Sequence, residues 1–199
     1  MSDNIYSPER DEKELIIRLK NGEQEAYRAL VRQYQSRLIH IATGITLDRE
    51  ESLDIVQDVF LKVYRRVHSF EGKSSLYTWL RRITVNESLN WRRKWKRRFR
   101  WQHQSLEDED TGNSPELGTD ETGPESLYKK KELEKIVREG LNRLPEDARA
   151  VLVLKELEGL SYGEIARHLK IKKGTVSSRL FYARERLKEY LSMVEKKEV

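Results

Sequence analysis

The chain has 199 residues, room for one or two small domains, and its 37% charged and 37% hydrophobic residues with only 4 Pro and 10 Gly favour helices over sheets. It has no cysteine, which excludes a disulfide framework and a thiolate metal site, and 4 scattered His leave little for another metal centre. The net charge of +5 is sorted: residues 62–101 hold 13 Lys and Arg against 2 acids, whereas residues 102–126 hold 8 acids and no Lys or Arg. Such sorting fits partners that are a polyanion in one place and a basic channel in another. The polar start MSDNIYSPERDEK does not read as a signal peptide, and no apolar run approaches bilayer-spanning length. A cytoplasmic chain without membrane insertion is expected.

A short helix is predicted over 11–20, with Leu15, Ile16 and Leu19 inward and Asn21-Gly22 as its stop. A longer helix follows over 23–43, its stripe carried by Ala26, Leu30, Tyr34, Leu38 and Ile41 and continued by Ile45. Asp48 and Glu51 have capping-box spacing and open a third helix over 50–69. Leu53, Val56, Phe60, Val63 and Val67 form its apolar stripe, with Asp54, Gln57, Asp58, Leu61 and Arg65 on the opposite side. Residues 70–74 read as a turn, and a fourth helix runs from about 75 towards 101. Residues 102–126 hold Gly, Pro, Ser, Thr and carboxylates with almost nothing to bury, and read as a disordered or extended linker. Periodicity resumes at Leu127 and breaks at Leu144-Pro145-Glu146, and a further helix runs from Glu146 to Gly159. The expected fold is all-α, with one four-helix domain over 1–101, a linker over 102–126 and a second four-helix domain over 127–199.

The second domain ends in the stretch LSYGEIARHLKIKKGTVSSRLFYARERL, residues 160–187. Ser161 and Glu164 form a capping box for one short helix. Lys170 to Lys173 make a tight turn, and Thr175 is expected to cap a second helix striped with Val176, Leu180, Ala183 and Leu187. Two short helices joined in this way, the second polar and basic outside, read as a helix-turn-helix. Its outer face would carry Ser177, Ser178, Arg179, Phe181, Tyr182 and Arg184.

The fourth helix of the first domain mixes cations with aromatics: Arg81, Arg82, Arg92, Arg93, Lys96 and Arg97 with Tyr77, Trp79, Trp91, Trp95 and Trp101. Cations neutralise phosphates and aromatic faces stack unpaired bases, so single-stranded or melted DNA is the expected ligand. Tyr77 and Trp79 serve equally well as core aromatics beside Leu76, Leu80 and Ile83. Asn86 offers a donor and an acceptor suited to a base edge. Asp54 and Asp58 lie four apart on one helix face, but a single face supplies too few ligands for a catalytic metal. A partner-docking face is the better reading. No metal, cofactor or small-molecule substrate is expected.

Three stretches in order, NGEQEAYRALVRQY, DIVQDVFLKVYRRVHSFEGKSSLYTWLRRITVNESLNWRRK and LNRLPEDARAVLVLKELEGLSYGEIARHLKIKKGTVSSRLFYARERL, resemble the extracytoplasmic-function (ECF) sigma factors of bacterial RNA polymerase. The resemblance spans about residues 11–100 and 127–190. It implies a promoter-recognition subunit without chemistry of its own, whose partners are core RNA polymerase, promoter DNA both duplex and melted, and an anti-sigma factor. Asp54, Gln57, Asp58 and Leu61 fall where the family docks on core polymerase. Phe70, Lys73, Ser74, Tyr77, Trp79, Arg82, Asn86, Arg92 and Arg93 fall on the minus-ten surface. Lys173, Thr175, Ser177, Ser178, Arg179, Phe181, Tyr182 and Arg184 fall on the helix that enters the minus-thirty-five major groove, and the apolar face around Leu144 to Leu154 falls where region four docks on the polymerase flap. Many members carry a basic residue where this chain has Ser177 and Tyr182, so no promoter sequence transfers. Two other readings explain less: a free-standing helix-turn-helix regulator leaves the aromatic-basic helix without purpose, and a nuclease centred on Asp54 and Asp58 lacks ligands.

Overall fold

The computed structural model describes residues 8–102 and 124–196. In chain order it forms α1 (Pro8–Lys20), α2 (Gln24–Thr46), α3 (Arg49–Arg66) with a 3-10 turn at Val67–Ser69, α4 (Leu76–Gln102), α5 (Pro124–Asn142), α6 (Glu146–Glu156), α7 (Tyr162–Leu169) and α8 (Lys173–Glu195). Every regular element among the described residues is a helix, as expected, four in each half. From 103 to 123, the acidic stretch read as a linker lies outside the described residues.

Local chemistry explains most of the boundaries. Asp48 caps α3 by accepting from the Glu51 amide at 3.0 Å. The Ser75 hydroxyl accepts from the Thr78 amide at 3.1 Å and opens α4. Ser161 and Glu164 close both halves of their capping box at α7, with the Ser161 amide 2.9 Å from the Glu164 carboxylate. Several ends differ from expectation: α1 begins at Pro8 rather than 11, α3 ends at Arg66 rather than 69, and α5 begins at Pro124 rather than 127. α2 continues to Thr46 and stops where Leu47 turns left-handed at φ 63°. α6 stops at Glu156 rather than Gly159. α8 begins at Lys173 with Lys172 as its N-cap, so Thr175 lies inside the first turn instead of capping it. The reason is Lys170, which adopts φ 55° and closes α7 at once, leaving a turn of only 170–172.

Two apolar clusters hold the molecule, and they do not divide at the linker. One joins α1, α2, α3 and the start of α4 through Leu30, Leu38, Val59, Val63, Leu76 and Leu80. The other joins Ile41, Ile45, Val85 and Leu89 of the N-terminal half to Val151, Leu154, Ile165, Val176 and Leu180 of the C-terminal half. The two four-helix units therefore pack on each other, with α6 laid against α2 and α4. Gly44 makes the approach possible, because a Cβ there would stand 3.0 Å from a Val153 methyl. Glycine within a helix costs about 1 kcal/mol relative to alanine, a penalty offset here by close helix packing.

Arg149 closes the seam. Its side chain is fully buried, and its guanidinium donates to the carbonyls of Ile45 at 3.0 Å, Leu144 at 3.0 Å and Asn142 at 3.3 Å. The Ile45 carbonyl belongs to the last turn of α2, where the helix dipole favours a cation. Arg92 reaches the same helix end from α4, donating to the Thr46 carbonyl at 3.3 Å. Burial and the neighbouring Arg92 push the Arg149 guanidinium down to about 10, still charged at neutral pH. Arg149→Ala leaves these carbonyls buried and unpaired, and should lower the unfolding free energy by about 2–4 kcal/mol. Urea melts followed by circular dichroism would measure it, and a loss below about 1 kcal/mol would show that the guanidinium does not hold the seam.

Candidate nucleic-acid interface

α4 presents two different sides. Arg82 and Asn86 are exposed and share a face with half-buried Trp79, at spacings of three and four. The Trp79 ring packs on Phe70 at 4.9 Å between centroids, tilted by 31°. Phe70 is itself buried, so it backs this wall rather than lining its open side. The turn between them is fixed from α1: Lys20 donates to the Phe70 carbonyl at 2.8 Å, and Glu12 accepts from the Leu76 amide at 3.0 Å. Gly72, at φ 70°, supplies the left-handed residue the turn needs. Lys73 and Ser74 stand exposed at its tip.

The other side of α4 faces α6. Tyr77 belongs there, in contrast to its expected place on the open surface: its ring stacks on Tyr34 at 5.8 Å and its hydroxyl donates to Glu158 at 2.6 Å. Burial and the Glu158 hydrogen bond raise the Tyr77 hydroxyl well above an ordinary tyrosine. Arg92 is likewise turned inward, towards α2, with burial lowering its basicity against the pull of Glu146 and Asp48. Helical periodicity is the reason: positions 77, 81, 85, 88 and 92 follow the core side, while 82, 86, 93 and 97 follow the solvent side. Arg93 is exposed, with its guanidinium 4.0 Å from Asp147. The side chain of Trp101 is outside the described residues.

On α8, Lys173, Ser177, Ser178, Phe181, Tyr182 and Arg184 are exposed, and Phe181 is the most open large apolar side chain among the described residues at 69%. Thr175 is half-buried. Arg179 is held back by Asp147 at 2.8 Å, and Arg184 pairs with Glu156 at 2.7 Å. On α3, Asp54, Gln57, Asp58 and Leu61 are all exposed on one side, Leu61 at 51%, and Tyr64 extends that side. The face from Leu144 to Leu154, expected to be free for docking, is covered by α2, α4 and α8. Among the described residues no group of acids and histidines is placed to hold a metal ion, and no helix is long and apolar enough to cross a membrane.

The chain matches sigma-70 region 2 over residues 30–98 and sigma-70 region 4 over residues 134–187. It is 39% identical to the ECF RNA polymerase sigma-E factor of Haemophilus influenzae over 174 residues, covering 86% of this chain and 90% of that protein. The chain belongs to the ECF sigma factors. The RNA polymerase sigma-H factor of Pseudomonas aeruginosa is 34% identical over 94% of this chain and 96% of its own length. The sigma factor RpoE of Bartonella quintana, solved with the anti-sigma factor NepR, superposes with a TM-score of 0.63 at 25% identity, covering 83% of this chain and 96% of that one. CnrH, solved with the cytosolic domain of CnrY, shares the fold with a TM-score of 0.62 at 22% identity, over 92% of this chain and 97% of that one.

In this sigma factor the region 2 match runs from within α2 into α4, and the region 4 match from within α5 into α8. Sequence reasoning missed the seam between them, whose polar members include Tyr77, Arg81, Arg92, Arg149, Glu158 and His168. The signal was present in α6: apart from Arg149, residues 148–154 are all apolar, and a helix apolar on nearly every side has to be covered on nearly every side. His168 sits in the seam with Arg81 and Arg82 nearby, and burial together with those cations lowers its imidazole to about 4. An ordinary histidine takes its proton near 6.5, so the unfolded chain binds that proton first as pH falls. The His168 contribution to stability is therefore complete above about pH 6.5 and is lost progressively towards pH 4. His168→Gln should flatten this part of the stability profile, and equal acid slopes for the two proteins in urea melts between pH 7 and 4 would refute the assignment.

Proposed function

We propose that this sigma factor directs core RNA polymerase to promoters with region 2, over 1–101, docking on the enzyme and capturing melted minus-ten DNA, and region 4, over 127–199, reading the minus-thirty-five duplex. The acidic stretch over 102–126 connects them. The observation that supports this most is the one-sidedness of α4, with Arg82 and Asn86 exposed beside the Trp79–Phe70 wall. A base leaving its stack loses a few kcal/mol and recovers it from ring contacts and edge hydrogen bonds in such a place. Binding the open form more tightly than the closed form is sufficient to melt DNA, so no catalytic group or nucleotide-binding loop is needed. Lys73 and Ser74 at the turn tip, and Arg93 beyond Asn86, would hold adjacent phosphates.

The exposed α8 face, Lys173, Ser177, Ser178, Phe181, Tyr182 and Arg184, enters the major groove, with Arg179 released from Asp147 when a base edge or phosphate replaces the carboxylate. Asp54, Gln57, Asp58 and Leu61 form the polymerase face of α3, apolar at its centre and acidic beside it. The chain acts in the cytoplasm, where polymerase and promoter are. An anti-sigma protein is its further partner, a reading supported by the RpoE–NepR complex among its relatives.

Asn86→Ala should impair open-complex formation far more than closed-complex binding, since its bonds exist only with an extruded base. A template left unpaired across the minus-ten element should restore part of the activity but not the base preference. Normal run-off transcription with base preference intact would remove Asn86 from the pocket. Asp58→Arg with Leu61→Ala should weaken holoenzyme assembly at least tenfold while changing helicity and melting little, because both side chains are exposed. Wild-type affinity for core polymerase in a titration of labelled sigma factor would rule out this face.

A further inference from the structure

The turn between Phe70 and Leu76 has little of its own to hold it in shape. Residues 71–75 are all exposed. Within it Glu71 pairs with Lys73, and an exposed pair of this kind adds little stability. The Ser74 hydroxyl reaches only the carbonyl of its neighbour Ser75, at 3.3 Å. Gly72 bends the chain at φ 70°, and a Cβ there would meet nothing within 4 Å, so no neighbour confines the bend. A surface turn with so few contacts samples many conformations unless its ends are held.

Both ends are held by α1. Lys20 donates to the Phe70 carbonyl at 2.8 Å, and Glu12 accepts from the Leu76 amide at 3.0 Å. Leu76 is the first residue of α4, so its amide has no carbonyl partner within the helix, and Glu12 supplies the missing acceptor. The α4 dipole favours a carboxylate at this end as well. Glu12 and Lys20 lie eight positions apart, about 12 Å along the helix axis, so α1 acts as a stiff bar with one bond for each end of the turn. The bar is itself seated by Leu15, Ile16 and Leu19, which pack in the cluster that contains Val67, Leu76 and Leu80. Both polar side chains are half-buried, which weakens the competition from water.

These two bonds end on the wall beside Asn86. The residue whose carbonyl Lys20 holds is Phe70, whose ring packs on Trp79 at 4.9 Å between centroids. Trp79 follows three residues after the amide that Glu12 holds. We propose that Glu12 and Lys20 are positioning residues for base selection: acting through Phe70 and Leu76 rather than on DNA, they set the turn against which an extruded base is read. The inference rests on the functional reading above. A wall already in place when the base arrives does not have to be ordered by it, so the fitting base keeps more of its binding energy. Selectivity is a difference between affinities, and a loosened wall that adapts to several bases loses that difference before it loses binding.

The test uses the full chain with core polymerase. Run-off transcription from promoters that differ at one minus-ten position gives the ratio of rates for the preferred and the disfavoured base. Glu12→Ala and Lys20→Met should each lower that ratio about threefold, and the two together about tenfold, with core affinity unchanged because the α3 face is untouched. Glu12→Gln keeps a carbonyl acceptor and Lys20→Arg keeps a donor, so each should retain about half of the parent ratio or more. A variant that merely folds less well lowers both rates alike and leaves the ratio where it was. Hydrogen exchange of the free chain reads the Glu12 bond without polymerase: the Leu76 amide should exchange about tenfold faster in Glu12→Ala and close to the parent rate in Glu12→Gln. An unchanged Leu76 exchange rate in Glu12→Ala, or an unchanged base ratio in the double variant, would overturn the proposal. A parent chain that transcribes without base preference, its Leu76 amide protected all the same, would instead overturn the functional reading.

Discussion

A helix that is apolar on nearly every side must be covered on nearly every side, and α6, polar within residues 148–154 only at Arg149, imposes that condition on the whole molecule. Residues 148–154 are all buried. α7 and α8 cover part of the helix, but the rest is exposed unless something outside region 4 lies on it. In this chain α2 and α4 do so, through Ile41, Ile45, Val85 and Leu89. The hydrophobic gain is non-directional, so the polar groups around it decide the register. Arg149 ends on the Ile45 carbonyl in the last turn of α2, Glu158 ends on Arg81, and Gly44 lets Val153 come close to α2.

The same condition divides the cations of the basic block between two uses. Arg81 and Arg92 turn inward from α4, where they meet Glu158 and the end of α2. Arg82, Arg93 and Arg97 turn outward into solvent. Tyr77 and Trp79 are divided likewise, one stacked on Tyr34 in the seam and the other on Phe70 beside the open face. A helix passes through its core side and its solvent side every turn, so a run uniform in composition is never uniform in role.

Two carboxylates at the start of α6 pair with cations of α4 and α8. Asp147 holds Arg179 and lies 4.0 Å from Arg93, joining α8 to α4. Glu146 holds Lys96; burial alone would raise its carboxyl, but Lys96, its own backbone amide and Arg92 keep it below the usual range. A sigma factor folded in this way keeps part of its cationic surface internally neutralised.

Much of the molecule was legible in the chain alone. The Asp48 cap, the Ser161 capping box, the stripes of α2 and α3, and the helix-turn-helix spacing are local, and local hydrogen bonding with a 3.6-residue repeat decides them. Family membership followed from motif order for the same reason. The ends of α2 and α8 were less legible, because left-handed Leu47 and Lys170 carry no glycine to announce them. What only the tertiary structure decided is which of several equivalent residues turns inward. Periodicity places Arg81 and Arg82 one step apart without saying which meets a carboxylate 77 residues away. Glu158 reads as an exposed acid beside a glycine until region 2 surrounds it, because burial depends on the elements brought together and sequence spacing carries no record of them.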